Sequence, residues 1–562
     1  MDCREAVYSN DYFDFIAEFG QVPGLTIEET ECIQELNERF KIVHKRRGEN
    51  ETLNLTKYSY LSIPNCLGPL DTSHLEASGI LRIQNQPNLA LKGNGVLIGF
   101  MDSGIDYQNP LFRNSDGSSR IEAIWDQTVE NGTPPEGFIY GQEYRKPILD
   151  EALAARAPLE IVPTTDNSGH GTYIASIAAG NEDIANSFSG AAPLCGIAMV
   201  KLKQAKQYIR DFFFIREDAQ AYQINDVMTA IEYLNRLASE LNMPLVLCLG
   251  LGSSYGSHTG VGPVALLLEQ IATQAQRAVV IAAGNEANRR LHYAGVNYTT
   301  GTDELVEVNV GENVTGFTAE LWGETPDLYS VEIISPTGER LPRIPARAGA
   351  GIEHNFVFEN TRVTVEYRIS DITSGEQQIF IRFQNPIQGI WNIRVFGDSI
   401  VRGRYHIWLT FSGFLTGDVF FIRSNPDTTL TVPSSTDIPI TVGAYNSADN
   451  SIYLYSGRGF MPNDVIKPDF AAPGVDIPGA GPNNTFVTNS GTSAAAAITA
   501  GAAALLLEWA VVKGNNMSIN SVTIKYILIR GTVRDANRVY PNREWGYGKL
   551  NLFNAFNAFR IT

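Results

Sequence analysis

The chain lacks most of the features that would tie it to a membrane, a nucleic acid or a cross-linked scaffold. Its five cysteines, Cys3, Cys32, Cys66, Cys195 and Cys248, are odd in number, scattered, and form no CxxC pair. That argues against a zinc site and a disulfide framework, and for folding that does not depend on oxidation. Basic residues are outnumbered, 43 Lys+Arg against 61 Asp+Glu, so the basic face that duplex nucleic acid requires is missing. The net charge of −18 is read as a solubility feature. No run reaches the roughly 18–20 apolar residues of a membrane span, and the longest near a terminus is only Ala500–Leu507. The opening MDCREAVYSNDYFDF has neither a basic start nor an apolar centre. It is therefore not a Sec signal peptide, and synthesis in the cytoplasm is expected.

What is present suggests about three units, at roughly 100–200 residues per domain. Residues 1–66 read as a small α+β unit. Ile27, Cys32/Ile33, Leu36, Phe40 and Val43 recur at helical spacing, predicting an amphipathic helix over Ile27–Lys45 with Thr26 and Glu29 as a capping box. β-forming stretches flank it, and Pro64 and Gly68-Pro69 read as a linker. From about residue 71 the pattern becomes α/β. VLIGFM (96–101), GIAMVKL (196–202), PLVLCLGLG (244–252) and AVVIAAGN (278–285) are buried-parallel-strand runs, with helices expected at Tyr222–Leu241 and Ala265–Gln276. This is a parallel sheet with helices on both faces. Residues 303–425 break the alternation with eight short period-2 runs separated by turn residues, an inserted β-sandwich of jelly-roll type. The α/β pattern resumes at 426–562 and completes the unit begun at 67–302.

Three motifs carry chemistry. Asp102-Ser103-Gly104 ends a buried strand, where open α/β sheets place their sites. Gly169-His170-Gly171-Thr172 opens a helix, as does Gly491-Thr492-Ser493-Ala494. Singly, each is a turn or a helix cap. In the order Asp, His, Ser they supply a nucleophile, a base and a group that orients the base. Ser493 at a helix N-terminus would offer its backbone N–H to a developing oxyanion, with Asn285 at the end of VVIAAG as a second donor.

These segments resemble the subtilases, the S8 family of subtilisin-like serine endopeptidases. VLIGFMDSGID, NSGHGTYIASIAAG, VVIAAGN, KPDFAAPGVDI, NSGTSAAAA and WGYGKLNL follow the family's landmarks in order. The resemblance implies a catalytic triad of Asp102, His170 and Ser493, with Asn285 as the oxyanion residue. It also implies that Gly250-Leu251-Gly252 pairs with substrate backbone and that Ala282-Ala283-Gly284 walls the P1 pocket. Residues 1–66 would be a prodomain, an intramolecular chaperone and inhibitor. Retained prodomain, missing leader and jelly-roll together are similar to the clostridial Csp germination proteases. In that group the prodomain is cut off autocatalytically and stays bound, and the substrate is the zymogen of a cortex-lytic peptidoglycan hydrolase in spores. Spore association and a cut within 58–71 are then expected.

The chain departs from the family at Ala494, Ala497 and Ile498, where Met, Pro and His are usual, which implies altered packing rather than lost activity. Residues 203–221 (KQAKQYIRDFFFIREDAQA) are an insertion whose FFFI reads equally as core or as a cleft wall. No acidic cluster reads as a calcium loop, so no metal or other cofactor is expected. Three alternatives stay open at this level. The chain could be a degradative subtilase of broad specificity, or a non-catalytic regulator on the same scaffold. The sandwich could bind carbohydrate through Trp322, Trp391 and Trp408. Cys248, beside the substrate strand, could also make activity sensitive to thiol reagents.

Overall fold

In a computed structural model of the chain, residues 3–19, 32–48, 51–54, 57–64, 66–69 (as backbone), 75–186, 188–349 and 351–559 are described. An eight-stranded sheet forms the centre, in the order 470–473, 440–445, 277–282, 245–249, 97–102, 196–201, 121–126 and 142–145. Only the last pairing is antiparallel.

The apolar runs are continuous because both faces of this sheet are covered. Leu97, Met101, Leu245, Leu247, Val279 and Ile281 point to one side, into a core shared with the helices Ile224–Glu240 and Pro263–Ala272. Their neighbours Ile98, Phe100, Val246, Cys248, Val280 and Ala282 face the helices His170–Ala179 and Thr492–Leu507. The second of these is half alanine, with one glycine and three leucines, so it can lie close to its neighbours. A Cβ on Gly501 would sit 2.2 Å from that of Ala191. Among the described residues, the helical run Thr492–Val512 is long and apolar enough to cross a membrane, but 89% of its most apolar stretch is buried inside the fold.

The inserted region forms two facing sheets, one of six strands and one of five. It opens earlier than the sequence suggests: His292–Val296, assigned above to the α/β unit, pairs antiparallel with Arg404–Leu409 of the sandwich. Trp322, Trp391 and Trp408 are all buried. None is exposed for stacking on a sugar, which removes the basis of the carbohydrate reading.

The N-terminal unit differs from expectation. Tyr12–Glu18, Phe40–Arg46 and Cys32–Glu35 form a three-stranded antiparallel sheet beside a short helix, Cys3–Tyr8. The helix expected over Ile27–Lys45 is thus a pair of strands from Cys32 onward, while its start and the Thr26/Glu29 capping box lie outside the described residues. Cys32, Ile33, Gln34 and Glu35 alternate buried and exposed, a period of two that the apolar count had read as helical. The turn between the strands is set by Asn37, whose Oδ1 accepts from the N–H groups of Arg39 and Phe40. Cys3 and Cys32 are joined in a disulfide, against the expectation that the scattered cysteines form no disulfide framework.

Candidate active site

Asp102 ends the strand Leu97–Asp102 in the middle of the sheet and is almost fully buried. Its carboxylate accepts from Ser103 N–H (2.7 Å) and faces Nδ1 of His170 at 2.9 and 3.0 Å. The glycines around His170 make this approach possible. A Cβ on Gly171 would lie 2.1 Å from the Gly104 carbonyl oxygen and 3.1 Å from the Asp102 Cβ. Gly169 takes a left-handed φ of 78°.

A residue that sequence reading missed fixes this corner. The buried Asp166 accepts at Oδ1 from Ser103 Oγ (2.8 Å) and Gly169 N–H (2.9 Å). At Oδ2 it accepts from the N–H and hydroxyl of Thr172 (2.8 and 2.7 Å). Ser103 Oγ in turn accepts from Gly171 N–H. Asp166 therefore caps the helix that carries His170 and ties it to the strand that carries Asp102. The available signal was a capping-type Asp six residues before Thr172.

Ser493 lies in the first turn of the Thr492–Leu507 helix, fully buried, and its Oγ donates to the Gly250 carbonyl at 3.2 Å. Asn285 is brought to the same helix start. Its Oδ1 accepts from Thr492 N–H (3.1 Å) and Thr492 Oγ1 (3.3 Å), leaving the Nδ2 amide group as the available donor. Ala494, Ala497 and Ile498 are fully buried in that helix.

The segment Gly250–Gly252 borders a strand drawn from the chain itself. Residues 66–69 run antiparallel to Leu251–Gly252, with Gly252 opposite Gly68 and Leu251 opposite Pro69. On their other side they pair with Tyr222–Gln223, with Cys66 opposite Gln223 and Leu67 opposite Tyr222. Tyr222 and Gln223 had been read as the start of a helix, but they are extended and the helix begins at Ile224. Ala282 ends the next parallel strand, Arg277–Ala282, and Ala283 and Gly284 follow it directly. Thr431 lies between the two glycine-bearing segments and is also new to the site. Its hydroxyl would be 2.3 Å from a Cβ on Gly252 and its methyl 2.5 Å from one on Gly284, and its N–H donates to Ala283 O.

Other expectations resolve on burial. Phe212, Phe213 and Ile215 of the 203–221 insertion are core: Phe213 packs on Tyr255 and Phe212 stacks on Phe380 of the sandwich. Cys248 is buried, and burial together with the nearby Asp102 charge raises its thiol far above the ordinary range, which argues against a reactive thiol there.

The family model for the subtilases (Peptidase_S8) matches residues 93–312 and 416–548, more than half of the chain. The solved structure of the Clostridium perfringens CspB protease is 31% identical, covering 87% of this chain and 99% of that one, with a TM-score of 0.77. The PII-type proteinase of Lactococcus lactis subsp. cremoris is 24% identical over 75% of this chain, and the Arabidopsis thaliana subtilisin-like protease SBT3.4 is 26% identical over 74%. The aligned regions take up only 23% and 56% of those two longer proteins. The chain has a subtilisin-like α/β fold and belongs to the subtilase family.

Proposed function

We propose that the chain is a serine endopeptidase whose first substrate is its own N-terminal segment. In this reading the Ser493 hydroxyl swings from the Gly250 carbonyl to Nε2 of His170. Oγ attacks the scissile carbonyl carbon as its proton passes to the imidazole, and Nδ1–H stays on Asp102, which stabilises the imidazolium. The carbonyl oxygen becomes an oxyanion held by Asn285 Nδ2 and the Ser493 N–H. One such donor contributes about 3 kcal/mol, roughly 10²–10³ in rate. The tetrahedral species collapses, His170 passes the proton to the leaving amine, and water repeats the sequence on the acyl-enzyme.

The observation that carries this reading is the strand 66–69, seated between Leu251–Gly252 and Tyr222–Gln223 as the acyl side of a peptide substrate would be. Its register steps toward Gly250, and so toward Ser493, as residue number rises. Leu70 and Asp71 lie outside the described residues; Leu70 is the next residue in sequence after Pro69, which pairs with Leu251, and on this register the bond cut is Leu70–Asp71. The freed N-terminal unit then acts as a retained, non-covalent prodomain. The likeness to CspB supports a narrower role, activation of a cortex-lytic hydrolase zymogen in spore germination. A broad degradative role would show instead as cleavage of unrelated unfolded proteins at comparable rates.

The test compares wild type with Ser493→Ala by denaturing gel and intact mass. Wild type should yield a piece ending at Leu70 and one beginning at Asp71, while the variant stays whole. If both stay whole, the catalytic reading fails and the regulatory one replaces it. Cutting at another bond would refute the register argument alone.

A further inference from the structure

The N-terminal unit and the cleft strand Tyr222–Gln223 share a network of buried polar groups that the catalytic mechanism does not use. Asp14, on the strand Tyr12–Glu18, is fully buried. Its Oδ1 accepts from Lys206 Nζ at 2.8 Å and lies 2.6 Å from His44 Nδ1. Its Oδ2 accepts from Gln223 Nε2 at 3.0 Å. The Gln223 side chain is engaged on every side. Its second amide contact is Asn225 Oδ1 (3.1 Å), and its Oε1 accepts from the Lys206 N–H (2.7 Å). Lys206 Nζ also donates to the Ala6 carbonyl at 2.6 Å. The backbone of the same Gln223 is the outer rail of the cleft, opposite Cys66.

A strand of two residues has little to hold its own conformation. Tyr222–Gln223 is an edge whose only ladder partner among the described residues is the chain lying in the cleft, so an incoming substrate must either find it ordered or order it. The contact that orders it comes from the other side, through a charge-assisted hydrogen bond to a carboxylate of the N-terminal unit. We propose that Asp14 is a positioning residue for substrate: through Gln223 it holds the strand that receives the fourth and fifth residues before the cut bond. On this account the N-terminal unit, once cut, remains a working part of the cleft for extended peptides. The inference rests on the peptidase reading and on a cut after Leu70, which makes Leu67 and Cys66 the fourth and fifth residues.

The consequence is selective by substrate length. A peptide ending two residues before the cut does not reach Gln223, whereas one of five residues does. Residues 66–70, when they compete for the cleft, lower both specificity constants by the same factor, so the ratio between the two substrates is immune to that competition. The experiment measures kcat/KM on the processed full-length complex, using the p-nitroanilides of CLGPL and of PL alone, for wild type, Asp14→Asn and Gln223→Met. Gln223→Met removes the link while keeping the Asp14–Lys206–His44 cluster, so it carries the test even where Asp14→Asn does not fold. The ratio of long to short substrate should fall roughly tenfold or more, the size of one hydrogen bond to a charged group, with the loss in KM. An unchanged ratio in Gln223→Met, or proportional losses on both substrates, overturns the proposal while leaving the peptidase reading intact. A wild type that processes itself yet is inert to both substrates overturns this proposal and leaves the autoprocessing reading intact, whereas a wild type that is never processed fails the peptidase reading itself, and this proposal with it.

Discussion

The disulfide in the N-terminal unit allows a quantitative prediction. Cys3 lies on the helix Cys3–Tyr8 and Cys32 opens the strand Cys32–Glu35, with 29 residues of separation between them. Closing a loop of that length removes chain entropy from the unfolded state worth about 3.6 kcal/mol at 25 °C. That is a large share of what a three-stranded unit of this size can hold. The helix it tethers also docks the unit: the Tyr8 hydroxyl donates to Gln127 O (2.7 Å) and Val129 O (2.8 Å) and accepts from Gly141 N–H (3.0 Å). In full-length Cys3→Ser the N-terminal unit should therefore unfold and release at distinctly lower urea than in oxidised wild type. Reductant should move wild type to the variant's midpoint and leave the variant unmoved. Release can be followed by native gel after processing, and the bond itself by thiol titration in denaturant without reductant, where no more than three of the five cysteines should react. Five reactive thiols, or identical midpoints for variant and oxidised wild type, would refute the reasoning.

Two further perturbations bear on the site and its surroundings. Gly171→Ala would put a methyl 2.1 Å from the Gly104 oxygen and push the His170 helix away from Asp102, so kcat should fall at least about tenfold, one 1.4 kcal/mol step in the barrier. A fully active variant would show that the helix can yield at no cost to the Asp102–His170 contact. His258, His292 and His406 stack on Trp408 where the sandwich meets the cleft. Burial pushes His258 down to about 4 despite carbonyl contacts from Ser254 and Leu430 that favour the cation, and takes His406 down to about 3. An imidazole kept neutral in the fold but titrating near pH 6.5 when unfolded stabilises fully above about 6.5 and loses that stability as pH falls. His258 alone accounts for about 2 kcal/mol at pH 5. Between pH 6.5 and 4.5, wild-type unfolding free energy should fall about one proton more steeply than that of His258→Asn, and equal slopes would sink the assignment.

Legibility in the sequence tracked the distance over which each feature is determined. The central strands announce themselves because burial on both faces leaves no room for polar residues, as in Leu245–Leu249. Asp102, His170, Ser493 and Asn285 could be singled out because each sits at a strand end or helix start marked by glycine. The N-terminal unit misled because Cys32, Leu36, Phe40 and Val43 satisfy a helical spacing and, interrupted by the Asn37 turn, serve equally well as two strands. Tyr222–Gln223 continued an apolar helix pattern, and only its partner strand, more than 150 residues earlier in the chain, makes it extended. Asp166 carries only the faint mark of a capping-type Asp ahead of the His170 helix, and Thr431 carries no local mark at all. The first acts through hydrogen bonds across the Asp102 corner, and the second through contact with glycines far away in sequence.

The same long-range logic gives the insertion at 203–221 and the sandwich a common task. Tyr208 of the insertion accepts the Asp14 N–H and packs on Phe13, while Phe212 stacks on Phe380 and its carbonyl accepts from Arg382. From the other side, the buried Glu320 of the sandwich accepts from the Tyr60 hydroxyl (2.6 Å) and from Gly256 N–H (3.1 Å), just past the cleft strand Leu251–Gly252. Three parts of the chain thus meet around the cleft, and all of these contacts made by the N-terminal segment involve residues before Leu70. A cut after Leu70 would sever the covalent link and none of these contacts. It would turn an intramolecular association into a bimolecular one whose persistence depends on the buried Asp14–Lys206 and Tyr60–Glu320 contacts. Because a buried charge left without its partner is costly, separation must expose Asp14, Lys206 and Glu320 to water together rather than one at a time. Release should therefore be cooperative and slow, and the cleaved unit should stay in place long enough for its hold on Gln223 to matter to every later substrate.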